Sequence, residues 1–459
     1  MELLSKLVQK LVQLHGYDAK GNLARISYQL ALDLEEERLQ KTQYLAYKKI
    51  KFRREAALSD LIAHSFAEVI LYQEIFTQSG INPKEIKKEE DLIRFPLVTK
   101  RMFLERTPTE IIAKNISGRR IVQGITSGST GEPFRHFKDK KFSVTQRANL
   151  YRPWRWAGVE PTSPIVHCSA PHAVNKTPNT VFLHPHFIKE KIAEYAEKIK
   201  SSGAKIIRGY PLTNFELVWN LKKTGYNDIK FTHAFFVGHA LSLGIREFFK
   251  EEFNCETYLY YASEETGVLA AECERHDGMH IYEESFIIEI LGWRGRPVPD
   301  GTRGKIVITS LLNEVMPLIR YDIGDIGMII PEQCRCRRTS RRIIVEGRKE
   351  DMLLRSDGQS IYPGIVRDIL DEYFYAFERY QVIQTAKDML LLRVVPAEKF
   401  SQENLRKARN EFQECVGNSM KIIYEVVDEI PPLPSGKFRY FVSPYWREQY
   451  PKEILESEI

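Results

Sequence analysis

Hydrophobic positions recur with two different periods along this chain. Residues 1–80 are rich in Leu, Ala, Glu, Lys and Gln, contain no proline, and space their apolar residues as helices do. Between residues 121 and 330, short β-branched or aromatic runs alternate with helical stretches. That alternation predicts a parallel sheet covered by helices.

The middle of the chain supplies the strands of that sheet. We predict strands at residues 165–166, 206–207 and 235–237, with intervening helices at residues 189–200, 215–223 and 242–252. Residues 285–291 and 304–310 predict strands of a more antiparallel region. The fold class we expect is α/β, with layered sheets and helices around a parallel core.

The last part of the chain has the pattern of a smaller α+β unit. Its predicted helices are residues 363–374 and 401–415, and its predicted strands are residues 381–385, 389–395 and 421–427. We therefore expect a helical segment at residues 1–80 packed on the main domain, a large domain at residues 81–349, and a small mobile C-terminal lobe at residues 350–459.

The composition excludes a disordered chain and a dedicated nucleic-acid coat. Of 459 residues, 43% are hydrophobic and 11% are aromatic, which is enough for sizeable cores. The 67 basic residues exceed the 61 acidic ones by 6, too small an excess over this length to predict a nucleic-acid partner. The balance does suit a protein whose small ligands are anionic.

The first residues predict an amphipathic helix and not a secretion signal. Their apolar positions are interrupted by Lys6 and Lys10, and no stretch of the chain approaches the roughly 18 consecutive apolar residues of a membrane span. We expect a cytoplasmic protein without stable membrane insertion. This helix is expected to pack on its own protein, and attachment to a membrane surface is the alternative.

One short loop concentrates glycine and hydroxyl residues. It consists of Thr126, Ser127, Gly128, Ser129, Thr130 and Gly131, and Pro133 follows. Backbone N–H groups and hydroxyls in such a loop can converge on one anion, although the Gly-Lys-Ser/Thr ending of the common P-loop is missing. Considered alone, an ordinary surface loop of this composition is the alternative.

Four further motifs follow this loop in a fixed order. They are residues 260–264 (Tyr-Tyr-Ala-Ser-Glu), 320–325 (Arg-Tyr-Asp-Ile-Gly-Asp), 347–351 (Gly-Arg-Lys-Glu-Asp) and 434–439 (Pro-Ser-Gly-Lys-Phe-Arg). The series resembles the adenylate-forming superfamily of acyl-CoA synthetases, peptide-synthetase adenylation domains and luciferases. Additional similarity at residues 71–76, 95–100 and 316–321 favours its branch of phenylacetate–CoA ligases and capsule-biosynthesis proteins.

The resemblance implies an ATP-dependent ligase that joins a small carboxylic acid to a thiol. Such an enzyme forms an acyl-adenylate, releases pyrophosphate and then passes the acyl group on, here with coenzyme A as the expected acceptor. A carrier-protein thiol or an amine is the alternative acceptor, and a non-catalytic nucleotide-binding relative is a third hypothesis. The acid, the pathway and the oligomeric state stay open, a homodimer included.

The same resemblance assigns roles to individual residues. Lys437 would be the central catalytic cation, carried by the mobile lobe, and Glu264 would bind Mg²⁺. Glu350 and Asp351 would form the hinge of that lobe. The residues implied to bind ATP or AMP are Thr126, Ser127, Gly128, Ser129, Thr130, Gly131, Gly238, His239, Ala240, Tyr260, Tyr261, Ala262, Ser263, Asp325 and Arg348.

For two of these residues the resemblance also implies which part of the nucleotide they contact. Two other positions depart from the superfamily pattern. Tyr260 would stack on adenine, with a place in the core as its alternative, and Asp325 would accept hydrogen bonds from the ribose. Phe134 stands where a lysine is usual, with Arg135 beside it as a candidate substitute. Gly238, His239 and Ala240 occupy the place where the superfamily usually has a Gly-Gly pair, so His239 departs from that pattern.

A set of cysteine and histidine residues is a candidate metal site. Cys273 and His280 have six residues between them, and Cys334 and Cys336 have one. Two ligands on each of two loops would complete a four-coordinate structural zinc site. Spacing alone leaves this open against four unrelated reduced residues, and His276 is a competing ligand. Members of the branch that the chain resembles carry the same elements, and such a zinc would staple loops without taking part in catalysis.

Overall fold

The described part of the chain is a mixed α/β structure. The computed structural model describes residues 22–116, 121–125, 134–168, 179–239, 241–431 and 438–443. Its α-helices are α1 Asn22–Thr42, α2 Tyr47–Glu68, α3 Ile70–Ser79, α4 Lys100–Leu104, α5 Pro108–Ile111, α6 Lys140–Trp156, α7 Ile192–Ser202, α8 Pro211–Lys223, α9 Leu243–Phe253, α10 Pro363–Asp371 and α11 Gln402–Val416. Within these residues, none of the helices combines the length and the apolar character needed to cross a bilayer.

The strands fall into one large sheet, one smaller sheet and two short pairs. They are β1 Val98–Thr99, β2 Val122–Ile125, β3 Arg135–Lys138, β4 Ile165–Cys168, β5 Thr180–Leu183, β6 Ile206–Gly209, β7 His233–Val237, β8 Glu256–Ser263, β9 Gly267–Glu272, β10 Met279–Ile281, β11 Phe286–Leu291, β12 Gly304–Ser310, β13 Leu318–Ile330, β14 Arg342–Arg348, β15 Leu353–Leu354, β16 Ser360–Ile361, β17 Phe377–Ala386, β18 Met389–Pro396, β19 Lys421–Val426 and β20 Phe441–Val442.

The N-terminal helices pack on the large domain. α1 lies along α6, where Leu32 is buried against Ala148. In α2, the fully buried Arg54 pairs with Glu89 at 2.5 Å. Removing one partner of a buried pair costs about 3–5 kcal/mol, because the other charge stays desolvated. Helices occupy most of residues 22–79, as the composition predicts.

The large sheet joins a parallel half to an antiparallel half. Strands β5, β4, β6, β7 and β8 lie side by side in that order and run parallel, and α7, α8 and α9 connect successive strands from β5 to β8. Strands β9, β10, β14, β13, β12 and β11 continue the sheet with antiparallel pairing, and β1 joins β13 in parallel. The predicted α/β fold with a parallel core is confirmed.

Both faces of the parallel half are covered because successive side chains alternate. Phe235 points to one face, where its ring stacks on Trp154 at a centroid distance of 5.3 Å. Phe236 points to the other face and packs on Phe249 of α9, also at 5.3 Å. The two residues therefore belong to separate hydrophobic cores. A nearly continuous apolar run is typical of a parallel strand buried on both sides.

The C-terminal part is a smaller α+β unit with its own core. Its sheet has the order β19–β18–β17–β20, in which β17 and β18 form the predicted hairpin and the outer strands add in parallel. α10 and α11 bury Leu370 and Phe412 against Val382 and Leu392. A separate core lets this unit move as one body. The limits of the three predicted parts stay a prediction.

Candidate active site and metal-ligand cluster

The candidate site lies at the carboxyl edge of the parallel strands. β7 ends at Val237 and is followed by Gly238 and His239. In the neighbouring strand β8, Tyr260 is the register partner of Val237, and Glu264 follows the end of the strand. Carboxyl ends of parallel strands meet at one edge, which is where open α/β sheets bind ligands. The structure therefore brings these two predicted segments together.

A buried carboxylate extends the site into the antiparallel half. Asp325 in β13 and Arg348 in β14 are register partners. Asp325 accepts hydrogen bonds from the Tyr261 hydroxyl at 2.6 Å and from the Arg348 guanidinium at 3.0 Å. Burial raises the pKa of Asp325, although both partners act to lower it. Three residues that the sequence assigned to nucleotide binding thus lie in one hydrogen-bonded group.

The neighbouring Asp322 has a different environment. The Lys349 ammonium donates to its carboxylate at 2.9 Å, and the Gly324 backbone N–H donates at 2.9 Å. Burial acts to raise the pKa of Asp322, but the Lys349 charge outweighs it and the pKa is lowered. Gly324, inside β13, has a φ of +84°, and a Cβ there would come within 2.9 Å of Arg348, so this strand position needs glycine. Asp322 forms an internal ion pair with Lys349. This agrees with the assignment of Asp325 as the residue that would bind the ribose.

The aromatic residue that begins the 260–264 motif is part of the core. Tyr260 is only 2% exposed, and its hydroxyl accepts a hydrogen bond from Arg208 at 2.7 Å. Stacking on adenine needs an open ring face. The burial of Tyr260 therefore favours the alternative that the sequence left open, a place in the core.

The turn between β8 and β9 presents a carboxylate to solvent. The Ser263 hydroxyl lies 2.9 Å from the Thr266 hydroxyl. It also accepts a hydrogen bond from the backbone N–H of Thr266 at 3.3 Å. Ala262 is half-buried, and Glu264 is exposed. Burial raises the pKa of Tyr210 to about 12, and the nearby Glu264 charge adds to this shift. The exposed carboxylate therefore stands in the candidate site and not on a remote surface.

His239 connects the large domain to the C-terminal lobe. Its Nε2 lies 3.1 Å from the backbone carbonyl oxygen of Phe438, and its ring meets the Tyr210 ring edge-on at 5.3 Å. Gly238 has a φ of +82°, and a Cβ there would come within 2.6 Å of the Tyr210 ring. The departure from the Gly-Gly pattern thus creates a contact to the residue that follows Lys437.

Several predicted residues lie outside the described part of the chain: Thr126, Ser127, Gly128, Ser129, Thr130, Gly131, Ala240 and Lys437. The residues flanking the glycine-rich loop are described, and Ile125 in β2 pairs with Arg135 in β3. Phe134 is 1% exposed, and its ring stacks on Tyr321 with centroids 6.5 Å apart. The position where a lysine is usual therefore belongs to the core, whereas Arg135 is exposed.

The predicted hinge residues lie in a short 3-10 turn, Lys349–Asp351. The Glu350 carboxylate is 3.5 Å from the Arg348 guanidinium, and Asp351 accepts a hydrogen bond from Arg439 at 2.5 Å. Burial raises the pKa of Asp351 against the opposing charge of Arg439. The turn is tied to β14 on one side and to the end of the lobe on the other.

The four side chains of the candidate metal site converge in space. The ligand atoms of Cys273, His280, Cys334 and Cys336, hereafter the four-ligand cluster, all lie within 4.8 Å of one another. The sulfurs of Cys273 and Cys334 are 3.7 Å apart, and the Cys336 sulfur is 3.1 Å from His280 Nε2. Two thiolates on a tetrahedral zinc, with bonds of about 2.3 Å, would be about 3.8 Å apart. The observed spacing fits that geometry.

The surroundings of the four-ligand cluster also suit a metal. His280 Nδ1 lies 3.1 Å from the Ser340 hydroxyl, an outer contact of the kind that orients a ligating ring. Burial acts to raise the pKa of Cys336, but hydrogen bonds, first among them one with His280, lower it to about 5. His276, the competing ligand, lies apart from the cluster, with Nδ1 at 3.3 Å from Glu272.

Sequence reasoning missed several partners in these sites. Lys349 neutralises Asp322, and Arg439 pairs with Asp351. Both lie within the motifs at residues 347–351 and 434–439, where they were given no role, and their positive charge near a predicted acidic or catalytic residue was the available signal. Arg208, which holds Tyr260, offered no such signal because its contact crosses between strands.

Comparisons with known proteins agree on one family. The CapK C-terminal domain family matches residues 353–444. The phenylacetate-coenzyme A ligase of Thermus thermophilus is 26% identical over 381 residues, which are 78% of this chain and 84% of that protein. The phenylacetate-coenzyme A ligase of Escherichia coli is 26% identical over 344 residues, 70% of this chain and 76% of that protein. These matches support the resemblance to the adenylate-forming superfamily that the motifs indicate.

Solved structures show the same adenylate-forming fold. A 2-hydroxyisobutyryl-CoA ligase in the postadenylation state overlays with a TM-score of 0.75 at 19% identity, covering 90% of this chain and 94% of that one. An anthranilate CoA ligase in complex with anthranoyl-AMP overlays with a TM-score of 0.52 at 14% identity, covering 69% and 65%. The similarity to phenylacetate-coenzyme A ligases and to the CapK C-terminal domain agrees with the branch that the motifs predict.

Proposed function

We propose that this chain activates a carboxylic acid with ATP as an acyl-adenylate, releases pyrophosphate, and then transfers the acyl group to coenzyme A. The enzyme class, an AMP-forming ligase, follows from the family. The curated relatives are phenylacetate-coenzyme A ligases, so phenylacetate heads the aryl and alkyl acids that we propose as substrates.

The chemistry defines what the site must supply. A carboxylate is a poor acyl donor because its leaving group would be oxide. When a carboxylate oxygen attacks the α-phosphorus of ATP, a bond to that phosphorus forms and its bond to pyrophosphate breaks, which leaves AMP as a good leaving group on the acyl carbon. Both reactants are anionic, so the protein must provide positioned donors and positive charge.

The observation that carries the proposal is the group formed by Tyr261, Asp325 and Arg348 beside the carboxyl edge of the parallel strands. Tyr261 and Arg348 hold the Asp325 carboxylate in place, and a carboxylate held in this way is preorganised to accept hydrogen bonds from ribose hydroxyls. His239 would border the adenine and acyl groups. Glu264, exposed nearby, would hold Mg²⁺, which binds through one or two carboxylates and phosphate oxygens.

A change in lobe orientation is part of the proposal. Lys437 would bridge the α-phosphate and the substrate carboxylate, and the contact between His239 and Phe438 supports this by bringing its neighbour to the site. The overlay on 2-hydroxyisobutyryl-CoA ligase has a TM-score of 0.75 in the postadenylation state and 0.55 in the thioesterification state, at 90% and 89% coverage of this chain. That difference supports a lobe that turns between the two steps.

A structural zinc ion at the four-ligand cluster is also part of the proposal. Three cysteine sulfurs and one imidazole suit Zn²⁺ in a closed tetrahedral site. The cluster would join the end of β9 and strand β10 to the loop before β14. No step of the reaction would pass through it.

Carboxylate-dependent pyrophosphate release tests the proposed function. A panel of aryl and alkyl acids, beginning with phenylacetate, is assayed with wild type, and active acids are verified by hydroxamate trapping of the acyl-adenylate. Lys437→Ala is expected to lower the rate by roughly 10²–10³, as the loss of an oxyanion-hole donor does. Lys407→Ala, on the exposed face of α11, is the matched control and should keep its activity. The proposal is contradicted if none of the acids in the panel gives pyrophosphate release. It is also contradicted if Lys437→Ala keeps full activity.

Mass spectrometry of the products decides the acceptor. Reactions contain coenzyme A, a phosphopantetheinylated carrier protein, an amine, or none of these. A coenzyme A thioester is the expected product. A carrier-bound or amide product would leave the adenylation step of the proposal intact and show that the acceptor in the second step is not coenzyme A. A wild-type protein that binds ATP in calorimetry but releases no pyrophosphate with any acid would instead be a non-catalytic nucleotide-binding relative.

A further inference from the structure

Lys138 lies in the candidate site although none of the motifs includes it. It ends β3, the strand that follows the glycine-rich loop, and its Nζ donates a hydrogen bond of 3.0 Å to Oε1 of Gln146 in α6. Gln146 packs in turn on Gly267, since its Nε2 lies 2.8 Å from where a Cβ of that residue would be. Gly267 is three residues beyond Glu264. The ammonium of Lys138 is therefore held beside the turn that presents Glu264.

The charged groups around Lys138 favour the binding of an anion. Lys138 is half-buried. Burial lowers its pKa, the Glu264 carboxylate acts to raise it, and the Arg147 guanidinium lowers it further. The half-buried Lys138 therefore has one carboxylate and a second cation in its surroundings. A half-buried ammonium with a second cation nearby favours an anionic ligand such as a phosphate chain.

Phe134 and Arg135 cannot supply a cation at the same place. The Phe134 ring is packed against Phe103 and Tyr321, with centroid distances of 5.7 and 6.5 Å. Arg135 and Lys138 point to opposite faces of the β2–β3 hairpin, because side chains alternate along a strand. Only Lys138 lies on the face that reaches Gln146. The two basic residues are therefore distinct candidates that one experiment can separate.

We propose that Lys138 binds the β- and γ-phosphates of ATP and supplies the positive charge that the buried Phe134 does not. This inference rests on the proposed function. Charge on the departing pyrophosphate grows as its bond to the α-phosphorus breaks, and a positioned ammonium stabilises that charge. Gln146 acts as a positioning residue, because its amide oxygen holds the flexible lysine side chain beside Glu264.

Calorimetry with the full-length chain tests the role of Lys138, with MgATP and AMP as separate probes. Lys138→Gln is expected to weaken MgATP binding by about tenfold or more, since it removes a charge-assisted contact. AMP lacks the β- and γ-phosphates, so its affinity should change less than about twofold. Lys407→Gln, on the exposed face of α11, is the matched control and should bind both nucleotides as wild type does. Arg135→Gln tests the competing cation. Lys138→Arg should recover most of the MgATP affinity, and thermal melting verifies that each variant is folded.

Steady-state kinetics supply a second measurement. With an acid found active in the panel, Lys138→Gln should raise the KM for ATP and leave the KM for the acid unchanged. Unchanged MgATP binding in Lys138→Gln, equal losses for MgATP and AMP, or a selective MgATP loss in Arg135→Gln instead would overturn the inference. If wild type itself binds no ATP, the proposed function fails as well. If wild type and Lys138→Gln bind ATP equally, only the role of Lys138 fails.

Discussion

The four-ligand cluster and the interface between the large domain and the C-terminal lobe are held together by different means. In the cluster, four ligand atoms lie within 4.8 Å of one another inside one folding unit. The interface combines polar contacts, such as Arg379 to Glu216 at 2.6 Å and His239 to the Phe438 carbonyl at 3.1 Å, with the packing of Leu212 against apolar residues of the lobe. The interface also contains a close steric contact between α9 and the lobe, because a Cβ on Gly244 of α9 would collide with the Phe374 ring.

This difference separates stability from gating. A cluster whose ligands all belong to the large domain keeps its geometry whatever the lobe does. In the proposed reaction cycle, contacts that cross between the two cores would break when the lobe turns, so each would have to be weak enough to exchange. Changes in the cluster should therefore affect folding, and changes at the interface should affect the two half-reactions unequally.

The largest effect is expected from the cluster. Cys336→Ser should remove about one zinc ion per chain and destabilise the fold by about 3–5 kcal/mol, because it leaves the remaining buried ligands without their charge partner. Zinc content by mass spectrometry and thermal melting measure the two effects. The ratio of adenylation to thioester formation should stay that of wild type. Cys415→Ser, outside the cluster, is the control; a wild-type protein without zinc would contradict the prediction.

Breaking the ion pair at the interface should come next. Arg379→Ala leaves the Glu216 carboxylate, whose pKa burial already raises, without its charged partner, at a cost of about 2 kcal/mol. Pyrophosphate release should slow by up to about tenfold, since the lobe loses a contact of its present orientation. Thioester formation from a preformed acyl-adenylate should keep its wild-type rate.

Two further variants sharpen this prediction. Arg379→Lys should retain most of the rate, and adding Glu216→Gln to Arg379→Ala should relieve part of the loss, because no charge is then left unpaired. Equal slowing of both half-reactions would show that the pair stabilises the fold without favouring one lobe orientation.

A smaller effect, dependent on pH, is expected from Asp371 in α10. Burial raises its pKa to about 7, against the opposing Arg367 charge, and the Tyr380 hydroxyl donates to it at 2.6 Å. The ordinary pKa is 3.8, so the folded state holds the proton more tightly and stability is lost as the pH rises from 4 to 7. Asp371→Asn should be about 1–2 kcal/mol more stable than wild type at pH 8.

Thermal melting across this pH range measures the effect of Asp371. Ser242, Asp368 and Tyr440 also face this carboxyl group, and none of them is changed in the variant. Near pH 4 wild type and Asp371→Asn should melt alike. A constant difference at all pH values would mean that Asp371 does not titrate in this window.

The smallest effect is expected from His239. Its contact is a single hydrogen bond to a backbone carbonyl, worth about 0.5–1.5 kcal/mol. His239→Ala should slow pyrophosphate release by about three- to tenfold and leave transfer from a preformed acyl-adenylate unchanged. His239→Gln, which retains a donor, should recover part of the rate. A loss confined to the KM for the acid would assign His239 to the acyl pocket and remove it from the lobe contact.

Local patterns predicted most elements because they reflect local physics. Predicted strand 304–310 matches β12, and predicted helix 401–415 differs from α11 by one residue at each end. Strand β8 carries residues 260–263 of the 260–264 motif, yet no strand was predicted there, because its polar and apolar residues do not alternate with a clear period. Tyr260 shows the same limit, since only packing distinguishes a core ring from an open one.

By itself, the sequence determined the α/β class, the family and the identity of the chemical groups, since these follow from periodicity and from ordered motifs. The tertiary structure decided which groups meet: that Asp325 joins Tyr261 and Arg348 while Asp322 joins Lys349, and that the four ligands converge. The reason is physical. Hydrophobic period is a property of neighbours along the chain, whereas hydrogen bonds and ion pairs depend on distances that only strand register and packing establish.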